Sequence, residues 1–92
     1  MKTKIIVIGN AGLCLECCKL VHGSSDYDLM AVISSDSLIQ QWSQQQGIQI
    51  LSYAEYQKSH YRDYVLLSIV NEWIIPEKLI KKHRVKYAIN YH

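Results

Sequence analysis

The stretch Lys4-Ile5-Ile6-Val7-Ile8-Gly9-Asn10-Ala11-Gly12 decides how the rest of the 92-residue chain is read. Its first half is β-branched and almost wholly apolar. That pattern suits a strand buried on both faces, as in a parallel sheet. Its second half is a turn, and residues 13–21 behind it have helical period. Cys14, Cys17, Cys18 and Val21 share one helix face, while Glu16 and Lys19 fall on another. The stretch therefore predicts a strand, a tight turn and a helix that starts at the turn.

The unit repeats along the chain. Leu29-Met-Ala-Val-Ile33 reads as a second strand. Ser35 or Asp36 can cap a helix over 37–46, whose apolar stripe is Leu38, Ile39 and Trp42, and Gly47 suits its C′ position. A short third strand is expected at 48–51, followed by a weakly patterned helix over 53–60. Tyr64-Val-Leu-Leu-Ser-Ile-Val70 is a fourth strand. Pro76 suits the first position of a helix reaching about Lys82, and Tyr87-Ala-Ile-Asn90 is a fifth strand. Strands alternating with helices predict an α/β fold, a Rossmann-like parallel sheet with helices on both faces. The usual strand order is then 3-2-1-4-5, with ligands at the carboxyl ends of the strands near the switch between strands 1 and 4. That crevice would collect residues 9–12, 34–36, 71–75 and 90–92.

Composition narrows the function classes. Net charge is +2, too near zero to argue for a nucleic-acid partner. No apolar run approaches the roughly 20 residues of a membrane span, and residues 1–12 lack the pattern of a signal peptide. The three cysteines all lie between positions 14 and 18. An odd, clustered set argues against a disulfide framework and for a reducing, cytoplasmic setting. A metal reading of Cys14-x-x-Cys17-Cys18 lacks a second ligand pair, so no metal is expected and core packing is the simpler account. The basic run Lys78, Lys81, Lys82, Arg84 and Lys86 could contact phosphate, but a solvated helix end is the simpler account, with Glu77 and Lys81 paired at i, i+4. His60 and His83 sit in polar segments and are expected at the surface.

The turn 9–12 is neither Gly-x-Gly-x-x-Gly nor a Gly-Lys-Ser/Thr phosphate loop. Asp36 lies where a dinucleotide fold could place a ribose-binding acid, yet a turn that needs glycine for backbone reasons is the simpler account. Asn90-x-His92 is more pointed. Positions i and i+2 of a strand share a side, so an amide and an imidazole would project together from a strand end. The amide can stabilise an oxyanion and the imidazole can move a proton near neutral pH.

Three stretches together resemble the N-terminal part of the folate-dependent formyltransferase family, which includes methionyl-tRNA formyltransferase, glycinamide ribonucleotide transformylase and formylation domains fused to peptide synthetases. They are the opening strand and turn at 4–12, the segment Tyr64 through Asn71-Glu72-Trp73-Ile74-Ile75-Pro76, and Ala88-Ile-Asn-Tyr-His92. The middle of the chain looks most like the synthetase-associated branch. The resemblance implies that residues 1–92 are the N-terminal portion of a formyltransferase catalytic domain. The formyl donor would be 10-formyltetrahydrofolate, the acceptor an amine, and no metal would take part. Asn90 and His92 match two of the family's three catalytic positions. Asn71, Glu72, Trp73, Ile74 and Ile75 match the loop that cradles the pterin, with Ile74 and Ile75 as its apolar wall. The family's Ser-x-Leu-Pro loop and its aspartate are not among these 92 residues. The portion alone is therefore expected to be inactive. The competing reading is a non-catalytic Rossmann-like nucleotide-binding or regulatory module using the 9–12 turn. A third expectation is a homodimer through the exposed edge of the fifth strand.

Overall fold

The computed structural model describes residues 2–91. Its element order is β1 (Thr3–Gly9), α1 (Ala11–Gly23), β2 (Tyr27–Ile33), α2 (Ser37–Gln45), β3 (Gln49–Leu51), α3 (Tyr53–Lys58), β4 (Val65–Ile69), α4 (Glu77–Lys82) and β5 (Tyr87–Tyr91). The five strands form one sheet in the order β3-β2-β1-β4-β5, with every pairing parallel. This is the α/β arrangement that the alternating pattern predicts.

The apolar run of β1 works because its side chains alternate between two cores. Ile5 and Val7 join Cys14, Cys18 and Val21 of α1 and Ile39 of α2 on one face. Ile6 and Ile8 join Tyr56 of α3 and Leu79 of α4 on the other. Helices thus cover both faces, α1 and α2 on one and α3 and α4 on the other. The pairing of β1 with β2 skips Met30, because Ile5 lies opposite Leu29 and Ile6 opposite Ala31. This bulge lets Leu29 and Val32, three positions apart, serve the same core.

Helix ends follow local chemistry. The Asp36 carboxylate accepts from the Leu38 and Ile39 amides at 2.9 and 3.3 Å and starts α2. Gly47, with φ at +71°, takes the left-handed turn after it. Helix α3 carries a capping box, in which Ser52 Oγ accepts from the Glu55 amide and Glu55 Oε1 from the Ser52 amide. Pro76 is the N-cap of α4, one position before the first helical residue.

Three expectations are corrected. Leu38 is not part of the buried stripe of α2, since it is 64% exposed. It lies in the first turn, on the side away from Ile39. Gly12 has open space where a Cβ would stand, so sterics do not require glycine there. His83 is not a surface residue. It is fully buried, with Nδ1 2.7 Å from the Tyr64 hydroxyl, which lies 2.6 Å from the Tyr56 hydroxyl. This cluster ties α3, β4 and the end of α4 together. Burial lowers the His83 pKa, and Arg62, Lys82 and His60 add to the effect against a smaller opposing bond from the Ser59 backbone. Burial also pushes the Tyr64 hydroxyl up, and that of Tyr56 to about 12.

Cys14 and Cys18 are fully buried in the core and Cys17 packs against it. The Cys14 thiol is lowered because Cys18 bonds to it, and that bond together with burial raises Cys18. Among the described residues no group of three or more His, Cys, Asp or Glu side chains could hold a metal ion. Nor is any helix there long and apolar enough to cross a membrane. The residues of the basic run are exposed, with Lys81 3.4 Å from Glu77 and Arg84 3.0 Å from Asp63.

Candidate functional site

The carboxyl ends of the strands carry two unlike regions. The first joins the β1–α1 turn to the β2–α2 turn. Asn10 Oδ1 accepts from the Ser34 hydroxyl at 2.9 Å, the Ser35 amide at 3.0 Å and the Ser35 hydroxyl at 3.1 Å. Asp36 Oδ2 accepts from the Ala11 amide at 3.2 Å, while its Oδ1 caps α2. A carboxylate of the chain itself therefore sits at the N-terminus of α1, where an incoming anion would otherwise be drawn. Gly9 is fixed by close approach, since a Cβ there would lie 1.8 Å from the Ile69 carbonyl oxygen. The Asn10 amide donates to that same carbonyl at 3.2 Å.

The second region, at the ends of β4 and β5, is a hollow of about 440 Å³. Its floor comes from Leu66 and Ser68 of β4 and Ala88 and Asn90 of β5. Residues 71–75 form its rim. Ser68 and Asn90 are directly opposite in the β4–β5 register, so the two polar side chains project from one level of the sheet. All six candidate residues within the described chain border this one space: Asn71, Glu72, Trp73, Ile74, Ile75 and Asn90. His92 lies outside the described residues.

The rim holds its shape through Asn71. The Asn71 side-chain amide donates to Ser68 Oγ at 3.0 Å and to the Trp73 carbonyl at 3.1 Å, while its Oδ1 accepts from the Trp73 amide at 3.0 Å. Asn71 is thus spent on the loop and does not point a free amide at a ligand. The Trp73 ring stacks on Tyr53, centroids 5.2 Å apart and planes 17° from parallel. The Tyr53 hydroxyl donates to the Ile74 carbonyl at 3.0 Å, and partial burial raises its pKa, which favours the protonated donor. Ile75 packs on the α3–α4 core. Ile74 is 89% exposed and borders only the mouth, so the apolar wall expected from both isoleucines comes from Ile75 with Leu66 and Ala88. Glu72 is exposed and is the one charged side chain among the described lining residues.

Of the four non-glycine residues with positive φ among the described residues, Val70 and Ala11 lie at this end of the sheet, and Asp63 and Arg84 lie at the other. Val70, between β4 and the rim, has φ at +48°, which is costly for a β-branched residue. Its amide donates to the Tyr91 carbonyl at 2.9 Å, so β5 holds it there. Ala11 at the end of β1 has φ at +74°. Strained residues of this kind collect at functional sites. Composition and spacing do not reveal Val70 or Tyr53 as site residues. The one visible signal was Ser68, a polar residue inside an apolar strand.

Comparison with known proteins adds the fold and little more. No protein-family model matches the chain, and no curated protein sequence does. Among solved structures it is similar to an NAD-binding protein from Listeria innocua, with a TM-score of 0.57 and 10% sequence identity. The match covers 98% of this chain and 35% of that one, so the chain spans about a third of that protein's length. At this identity the likeness shows a shared Rossmann-like α/β fold and not a shared ligand.

Proposed function

We propose that this chain supplies the folate pocket and part of the transfer site of a formyltransferase, which moves a formyl group from 10-formyltetrahydrofolate to an amine. The observation that carries this reading is the single hollow bordered by residues 71–75 and Asn90. The resemblance assigns those two stretches to one reaction, and they are 15 residues or more apart in sequence. A flat, partly apolar ligand suits walls made of Leu66, Ile75 and Ala88. The Asn71 bonds to Trp73 keep the rim open before the ligand arrives, which lowers the ordering cost of binding.

In this reading the acceptor amine attacks the formyl carbon and forms a tetrahedral intermediate. The Asn90 amide donates to its oxyanion. His92 takes the proton that the attacking amine loses. The bond from the formyl carbon to N10 of the folate then breaks, and tetrahydrofolate leaves with a proton on N10. The family's aspartate would orient the histidine. The acceptor could be an aminoacyl group, a sugar amine or a purine precursor, and nothing in residues 1–92 selects among them.

A second reading, a nucleotide-binding or regulatory module, is favoured by the likeness to the NAD-binding protein. The Asp36 bond to the Ala11 amide weighs against it, because a pyrophosphate at that turn would have to displace a carboxylate.

The two readings separate in one titration. Trp73 lies on the hollow, and a Trp42→Phe background leaves it as the single tryptophan. Saturable quenching by 5-formyltetrahydrofolate, a stable folate analogue, with no response to NAD is the expected result. Response to NAD alone transfers the assignment to the second reading. Silence with both ligands overturns the folate pocket.

A further inference from the structure

The buried cluster of Tyr56, Tyr64 and His83 has one direction that satisfies it. With the ring neutral and Nδ1 unprotonated, the Tyr56 hydroxyl donates to Tyr64 Oη and the Tyr64 hydroxyl donates to Nδ1. A proton on Nδ1 reverses the chain. Nδ1 then donates to Tyr64, Tyr64 donates to Tyr56, and the Tyr56 hydroxyl hydrogen is left over. Among the described residues Tyr56 Oη has no second partner, and the side chain is fully buried. A buried donor without an acceptor is costly. The groups whose charge reaches the ring, Arg62, Lys82 and His60, are all basic. Asp63, whose amide bonds to the His83 carbonyl, is paired with Arg84 at 3.0 Å. His83 Nε2 is buried with no partner at hydrogen-bonding geometry, so the Ser59 backbone near the ring favours the charged form only weakly.

Helix α3 hangs between this cluster and the rim of the hollow. It has six residues, and Tyr56 is its single buried one. One turn earlier, Tyr53 stacks on Trp73 and donates to the Ile74 carbonyl, and the two tyrosine rings are 6.4 Å apart. A helix this short does not hold itself together without such anchors. We propose that His83 is an acid-sensitive latch: when its ring takes up a proton, Tyr56 leaves its pocket, α3 swings, and Tyr53 releases Trp73 and Ile74. The rim is thus ordered at neutral pH and loosened in acid. The contacts are continuous from His83 through Tyr64 and Tyr56 to Tyr53, and α3 is the element that both ends bias. The device concerns the rim itself, so it stands whether the hollow takes folate or another ligand.

Trp73 reports the rim directly. Trp42 packs edge-on to His22, centroids 5.7 Å apart, and would carry a second titration, so the test uses the Trp42→Phe chain. From pH 7.5 to 5, acrylamide quenching of Trp73 rises at least about two-fold. Its midpoint matches that of the His83 ring signal in NMR and lies below 6.5, with far-UV dichroism constant. His83→Gln keeps an acceptor for Tyr64 but does not titrate, and it removes the step. Tyr53→Leu leaves the His83 titration in place, raises quenching already at pH 7.5 and abolishes the step. The proposal falls if His83 titrates at 6.5 or above, if Trp73 does not respond, or if the step survives in either variant. A loss of dichroism at the same midpoint also overturns it, because the histidine then guards the whole fold and not the rim.

Discussion

The two ends of the crevice are built from the same kind of parts, a strand end followed by a loop with an asparagine or a serine near its start, and they behave oppositely. At β1 and β2 the loops bond to each other, and Asn10 and Asp36 together accept four amide and hydroxyl hydrogens across the gap and close it. At β4 and β5 the loop folds back on itself through Asn71 and leaves a hollow beside Asn90. The difference lies in where the side-chain acceptor is spent. A carboxylate or amide that reaches a neighbouring loop seals a crevice, whereas one that bonds two residues ahead shapes a rim and leaves space.

Substitutions can break this contrast, and the largest effect is expected at Gly9. Gly9→Ala drives a methyl into the Ile69 carbonyl, backbone against backbone at the junction of both regions. A loss of roughly 3 kcal/mol in urea unfolding is expected. Asp36→Ala comes next. It removes the α2 cap and the Ala11 bond, costing about 1–2 kcal/mol. It also unseals the first region, so NAD or phosphate binding at the 9–12 turn should appear in the variant and be weaker in wild type. Equal binding in both would remove the seal from the account. Asn71→Ala should cost about 1 kcal/mol in stability. Folate affinity should fall at least about ten-fold, because the rim loses both bonds to Trp73, while the first region stays unchanged.

The smallest effect is a pH dependence. The helices beside the hollow rest on Tyr56, Tyr64 and His83. The folded-state pKa of His83 lies below its ordinary value of 6.5. Below pH 6.5 the unfolded chain takes up a proton that the folded chain refuses, so stability falls as pH drops through this value, and it is fully present above it. Chemical denaturation from pH 7.5 to 5 should show this slope, and His83→Phe should flatten it.

Much of the architecture was legible because β1 and β4 are long apolar runs and their helices have clear faces. Parallel pairing and right-handed crossovers then leave few strand orders. Helix α3 was faint because one buried residue, Tyr56, and a capping box hold it, and neither produces a stripe. His83 was misread because Lys81-Lys82-His83-Arg84 is polar in sequence. Its burial comes from the turn after α4, which aims the ring at two tyrosines 19 and 27 positions away. The grouping of 71–75 with Asn90 followed from strand order. The closure of the first region did not, because it depends on where the Asp36 and Asn10 side chains point.

Amide shifts of the ¹⁵N-labelled chain, recorded on titration with 5-formyltetrahydrofolate and separately with NAD, test the contrast most directly. The account predicts that folate moves the amides of Ser68, of residues 71–75 and of Ala88 to Asn90, while those of 10–12 and 34–36 stay still with either ligand. Shifts centred on Asn10, Ala11 and Ser35 upon NAD addition, with 71–75 silent towards folate, would contradict it.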